Sequence, residues 1–154
     1  MINIDKSVTC SVTGHRIMLG DIDEISVEKV FLKLIEGGYK VFLIGMALGF
    51  DSMCFRILER IRKEKEIKII ACIPCDTQAE KFCYKDKKEY ERMLKSADEL
   101  IRVSKEYTPY CMMKRNMFLV DNSSVLVAYK RRDNGGSAKT VAYAEKNGCM
   151  VIKV

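Results

Sequence analysis

Apolar residues fall along this chain at two alternating spacings. Short runs that are apolar at consecutive positions predict strands buried on both faces, and stretches with apolar residues three and four apart predict helices packed along one stripe. Residues 7–13 (SVTCSVT), a short β-prone run ended by Gly14, read as the first strand, buried on both faces. Asp21-Ile-Asp-Glu24 then has the form of a capping box, and Val27, Val30, Phe31, Leu34 and Ile35 keep helical spacing until Gly37-Gly38. The unit repeats. Residues 39–44 predict a second strand and 45–49 a loop; Phe50, Met53, Cys54, Ile57, Leu58 and Ile61 then make the stripe of a second helix. Residues 67–73 form a third strand closed by Pro74, Tyr90, Met93, Leu94 and Ala97 mark a third helix, and 99–103 are a shorter, weaker fourth strand. The pattern ends with a helix over 110–120, a strand over 124–129, a helix over 137–146 stopped by Gly148, and a strand over 149–154.

Such alternation needs crossover connections, which are nearly always right-handed. It predicts an α/β fold: a Rossmann-like, doubly wound, mainly parallel sheet of about six strands with helices on both faces. Open sheets of this kind take ligands beyond the carboxyl ends of their strands, where strand order reverses. Residues 14–16, 45–51, 74–76 and 131–136 all follow strands and are expected along that one rim.

Composition agrees with one globular domain over residues 1–154: 48% of residues are apolar, 31% are charged, and there are two prolines. The first residues lack the layout of a secretion signal, and no apolar run reaches bilayer length, so a soluble cytoplasmic protein without a membrane contact is expected. Seven cysteines, an odd number, fit a reducing compartment and a packing role. The net charge of +6 comes with intermixed signs; it favours phosphates, nucleic acid included, without defining a site.

Three loops carry candidate chemistry. In Thr13-Gly14-His15-Arg16 the glycine permits a tight turn, and Arg16 could fork onto a phosphate or carboxylate. His15 is the only histidine, and no acid or cysteine partner marks it as catalytic. In Gly45-Met-Ala47-Leu-Gly49-Phe-Asp51, backbone amides at a helix start could receive an anion. Asp51 reads either as a helix cap or dipole partner or as an acceptor for ribose hydroxyls. Gly135-Gly136-Ser137-Ala-Lys-Thr140 again joins a strand to a helix, with Ser137 placed as N-cap and loop amides free for phosphate. Arg115, followed by Asn116, is either a surface charge or a cation reaching back into the cleft. Cys72-Ile-Pro-Cys75 has CxxC spacing but straddles a strand end without a second ligand pair, so no metal site is expected there.

In this order and spacing, TGHR (13–16), GMALGFD (45–51), IPC (73–75), RN (115–116) with VD (120–121), and NGGSAKTVAYA (134–144) resemble the SLOG superfamily, closest to its small stand-alone YpsA-like members. That superfamily also includes the LOG phosphoribohydrolases and the DNA-processing DprA/Smf proteins. The resemblance implies a cleft for a small nucleotide-derived ligand built from Gly14, Arg16, Gly45, Gly49, Asp51, Gly135, Gly136, Ser137 and Thr140, without a cofactor, and a homo-oligomer. LOG enzymes carry a GGxGTxxE loop whose glutamate serves glycosidic cleavage; here the second glycine is followed by Ser-Ala-Lys-Thr, Tyr143 stands three positions beyond Thr140, and the expected carboxylate is missing. Binding, by sensing or sequestration, is therefore the leading expectation. LOG-like N-glycosidase activity, with Asp51 and Arg115 as its catalytic candidates, and DprA-like single-stranded DNA binding are the alternatives.

Overall fold

The computed structural model describes residues 3–154. A 3-10 turn (Lys6–Val8) leads into β1 (Thr9–Gly14), followed by α1 (Glu24–Glu36), β2 (Val41–Ile44), α2 (Phe50–Arg62), β3 (Lys68–Ile73), α3 (Tyr84–Ser96) and β4 (Glu99–Arg102). The chain continues through α4 (Cys111–Asp121), β5 (Val125–Tyr129), α5 (Gly136–Lys146) and β6 (Met150–Lys153). All six strands are parallel, in the order β4-β3-β2-β1-β5-β6. Strand order runs outward from β1 in both directions, so right-handed crossovers put α1, α2 and α3 on one face and α4 and α5 on the other. The predicted doubly wound sheet is the fold found.

Strand residues alternate between two cores because successive side chains leave a strand on opposite faces. Phe42, Ile44, Val125, Val127 and Tyr129 join the large cluster with Phe31, Phe55 and Leu58 under α1 and α2. Leu126 and Ala128 pack on the other face with Val141 and Ala144 of α5, and Leu43, Ile70 and Cys72 pack there with Leu119 of α4. Thr9, Ser11 and Thr13 are the buried polar residues of β1 on that face; the Ser11 hydroxyl meets Ser123 Oγ at 2.8 Å, Ser123 donates to the Leu119 carbonyl at 2.7 Å, and no fully buried polar side-chain atom among the described residues lacks a partner. No helix among the described residues is long and apolar enough to cross a membrane.

Three boundaries differ from the pattern reading, each for a local hydrogen-bonding reason. Strand β1 starts at Thr9 because Asp5 accepts from the Ser7 amide at 3.1 Å and its hydroxyl at 2.6 Å, closing a 3-10 turn. The cap of α1 is Asp23, which accepts from the Ser26 amide at 2.7 Å, and not the box beginning at Asp21. The N-cap of α5 is Gly135 at φ 91°; Ser137 lies inside the first turn and is buried.

Two glycines lock the first turn onto α2. A Cβ on Gly14 would stand 2.4 Å from Phe50 Cβ, and one on Gly49, whose φ is 79°, would stand 2.3 Å from the Arg16 carbonyl oxygen. The Phe50 amide completes the junction by donating to the His15 carbonyl at 3.1 Å. Gly20 shares the left-handed backbone at φ 75° but has open space around it. Urea denaturation is expected to show Gly49→Ala losing about 3 kcal/mol or more, from backbone strain plus overpacking. Gly20→Ala should lose only the left-handed penalty of roughly 1–2 kcal/mol.

Candidate functional site

Strand order reverses between β1 and β5, and at the carboxyl ends of those strands lies a cleft of about 640 Å3, within the range of small-molecule sites. The turn after β1 supplies Gly14, His15 and Arg16, and the loop into α2 supplies Ala47 and Asp51. Arg115 and Asn116 come from α4, Gly136 and Ser137 from the start of α5. Gly45, Gly49, Gly135 and Thr140 lie outside the lining.

Arg115 is the most constrained of these groups. It is 4% exposed, and its Nη1 donates to the carbonyl of Gly45, just past β2, and at 3.3 Å to that of Cys72 in β3. Its Nε donates to Asn116 Oδ1 at 2.9 Å. A Cβ on Gly45 would stand 2.9 Å from the guanidinium carbon, so Gly45 is the seat on which Arg115 rests. Nη2 makes no hydrogen bond to the described protein. Every fully buried polar side-chain atom among the described residues is bonded, so Nη2 meets solvent through the cleft that Arg115 lines. Burial lowers the Arg115 pKa, and Asp51 is the largest influence opposing that shift.

Asp51 stands in the first turn of α2 and is 6% exposed. Its Oδ2 accepts from the Ala47 amide at 3.2 Å, Oδ1 has no hydrogen-bond partner among the described residues, and the residue lines the cleft. Burial raises its carboxyl to about 6, against the pull of Arg115, the Ala47 amide and Arg16. Both readings of Asp51 thus hold in part: it caps the loop with one oxygen and keeps the other available.

The two glycine loops differ in what they leave open. In the loop before α2, the Ala47 amide is taken by Asp51, the Phe50 amide by the His15 carbonyl, and the Ala47 carbonyl by Ser52 Oγ at 3.0 Å. The start of α5 has no side-chain cap. Its first backbone bond runs from the Lys139 amide to the Gly135 carbonyl at 3.1 Å, leaving the amides of Gly136, Ser137 and Ala138 without a protein acceptor among the described residues. Thr140 turns inward, donating to the Gly136 carbonyl at 2.8 Å. The uncapped helix start, with its partial positive charge, therefore opens on the cleft at Gly136 and Ser137.

His15 is an acceptor, with Nε2 taking the Arg131 amide at 2.8 Å. The proton of its neutral ring then sits on Nδ1. Burial, then Arg132 and Arg131, lower its pKa, which keeps it neutral and fixes the loop after β5 against the turn after β1. Arg131 is committed elsewhere: it lies 4.3 Å over the Tyr129 ring, pairs with Asp21 at 2.5 Å, and donates to the Val154 carbonyl at 2.7 Å. Tyr129 in turn stacks on Phe50 at 5.5 Å and donates to Asp21 at 2.7 Å. Arg16 and Arg132 are exposed, line the cleft, and make no ion pair among the described residues.

Pattern reading missed the apolar wall of Ile17, Leu19 and Met112. The signal was available: Ile17 and Leu19 are 78% and 63% exposed, apolar residues in a loop where polar ones are the norm. Cys72 contributes its carbonyl and not its thiol, which burial pushes up to about 12.

A family model for YpsA, described as the YspA SLOG family, matches residues 22–149. The chain belongs to this SLOG family. It is 32% identical over 135 residues to the SPbeta prophage-derived protein YoqJ of Bacillus subtilis (strain 168), covering 78% of this chain and 76% of that one. Among solved structures it resembles DNA processing protein A (DprA) from Streptococcus pneumoniae, with a TM-score of 0.72, 19% identity, and coverage of 94% of this chain and 49% of that chain. DprA from Helicobacter pylori gives 0.69, 15%, 95% and 64%. The chain thus spans half to two thirds of the DprA chains, and the likeness to them is one of fold.

In this SLOG chain Tyr143 is outside the cleft lining and donates its hydroxyl to Asp121 at 2.7 Å. Asp51 is the single carboxylate that lines the cleft. Its raised pKa ties stability to pH with a definite sign. The folded state holds the Asp51 proton more tightly than an unfolded chain does, so the cost of the carboxylate is absent below about pH 4. It builds as pH rises and is complete above about 6. Asp51→Asn, which can still accept from Ala47, is expected to be more stable than wild type at pH 7.5 by roughly 2–3 kcal/mol, and equal to it near pH 4. Thermal melting across that pH range checks the crossover.

Proposed function

We propose that this SLOG protein binds, without turning it over, a small phosphate-bearing nucleotide-derived ligand of the nucleoside-phosphate or ADP-ribose type. The observation that carries the reading is the buried Arg115, whose one free guanidinium nitrogen opens on the same cleft as the uncapped start of α5. A fixed cation and free helix amides around one cleft are the chemistry of phosphate recognition. Arg16 and Arg132 add charge at the rim. The free oxygen of Asp51 is an acceptor for sugar hydroxyls, and Ile17, Leu19 and Met112 supply an apolar wall for a base. A single lining carboxylate among the described residues, with the LOG-type glutamate missing from the last glycine loop, favours holding the glycosidic bond over cleaving it.

One observation favours a second reading, single-stranded DNA binding: the fold likeness to DprA, whose Helicobacter pylori form is described as binding single-stranded DNA. Salt separates the two. Affinity for an oligonucleotide falls steeply with salt as several counterions are released, whereas a small ligand with one phosphate group depends on it weakly.

Calorimetry with adenosine monophosphate, adenosine diphosphate and ADP-ribose is expected to show binding by at least one of them. Arg132→Ala should weaken it about tenfold or more, the size of a charge-assisted hydrogen bond. Affinity should also fall as pH drops through about 6, where Asp51 takes up its proton. No binding at high micromolar concentration rejects the proposal, and release of free base from the bound ligand replaces it with the N-glycosidase reading.

A further inference from the structure

The cleft has a neighbour. The segment that carries His15 to Leu19 rests on Gly49 and forms a ridge, and on its other side is a second hollow of about 380 Å3. Side chains along the ridge divide between the two: Ile17 and Leu19 line the first cleft, Met18 the second, and Arg16 lines both. The loop into α2 divides in the same way. Ala47 and Asp51 belong to the first cleft, and Met46, Leu48 and Ser52 to the second. Met46 makes this division possible. At φ 65° it is the one non-glycine residue among those described with left-handed backbone. That conformation carries strain of order 1–2 kcal/mol and is found where function over-determines the backbone.

The two hollows differ in chemistry. The second is floored by the thioethers of Met46, Met53 and Met93 and walled by Phe82, a soft, polarizable surface suited to a flat aromatic ring. Its rim carries Glu24, Asp86 and Glu89 against Arg16 and Arg56. Arg56 is paired with Glu89 at 3.5 Å, Glu24 with Arg60 at 3.1 Å, and Asp86 makes no ion pair among the described residues. Away from Arg16 the hollow offers a phosphate no unpaired cation, while a ring bearing an amino or amide N–H meets the Asp86 carboxylate. The first cleft has the opposite balance, with Arg16, Arg115 and Arg132 around one carboxylate.

From this juxtaposition we infer that the ligand is two-ended, of the dinucleotide type. Its phosphates and first nucleoside occupy the arginine-lined cleft, its linking phosphate passes Arg16, and a second aromatic ring rests in the methionine-lined hollow. The inference rests on the proposed phosphate-ligand reading and adds the second ring to it.

The test compares adenosine monophosphate with diadenosine pyrophosphate by calorimetry at fixed salt, on wild type and on Met18→Glu and Asp86→Ala, two partly buried positions in the second hollow only. Wild type is expected to bind the pyrophosphate at least tenfold more tightly than the monophosphate. Each variant, with its melting temperature kept, should lose most of that advantage while binding the monophosphate as wild type does. Equal affinity for the two compounds on wild type, or an advantage that survives both variants, overturns the two-ended inference and leaves the phosphate reading standing. Binding of neither compound overturns both.

Discussion

A guanidinium buried at the end of a parallel sheet is costly unless its donors are met, because desolvating a charge without partners exceeds what any one contact returns. Arg115 meets that demand with backbone. The carbonyls of Gly45 and Cys72 sit at the ends of neighbouring strands, and the parallel register that aligns Ile44 with Ala71 is what puts those two ends side by side. Several features of the cleft follow from this seat. Residue 45 has to lack a side chain, Asp51 can remain a buried carboxyl whose charged form is supported from across the cleft, and the two N–H donors of Nη2 are left over. A positive charge so placed is held rigid before any ligand arrives, so little ordering is lost on binding.

Around that seat the glycines do two different jobs. Gly14, Gly45 and Gly49 are places where another group comes too close for a Cβ: Phe50, Arg115, and the backbone of His15 and Arg16. Gly135 and Gly136 have no such neighbour within 3.4 Å, and they keep the start of α5 uncapped. A loop whose amides are consumed internally and a loop whose amides are open look alike as strings of glycine. The first shapes the cleft, and the second offers it donors.

This explains how far the sequence could be read. Strands buried on both faces, helix stripes and the βα rhythm are local signals, and the sheet they imply is the one found. The Rossmann-like rim followed from topology, and Arg16, Asp51, Arg115, Gly136 and Ser137 line one cleft there, whereas residues 74–76, expected on the same rim, do not. What stayed illegible depends on partners distant in the chain. Asp21 looks like a helix cap until Tyr129 and Arg131, more than a hundred residues later, claim both its oxygens. Ser137 looks like an N-cap until Gly135 takes that place with a backbone only glycine adopts easily. His15 has no partner in sequence because its partner is a backbone amide.

The same division bears on the choice between holding a ligand and cleaving it. Cleavage of a glycosidic bond needs charge stabilised at the sugar and a proton delivered to the leaving base, tasks that separate groups usually perform. The cleft has one ionisable acid, and its carboxyl is already engaged by the Ala47 amide and sits within the field of Arg115. His15, the other group able to move a proton near neutral pH, accepts a backbone hydrogen bond on Nε2 and is held neutral by burial and then by its arginine neighbours. With both titrating groups tied into the architecture of the cleft, the proposed reading of holding a ligand rests on the groups left open around it: Arg16, Arg132, Nη2 of Arg115 and the first amides of α5.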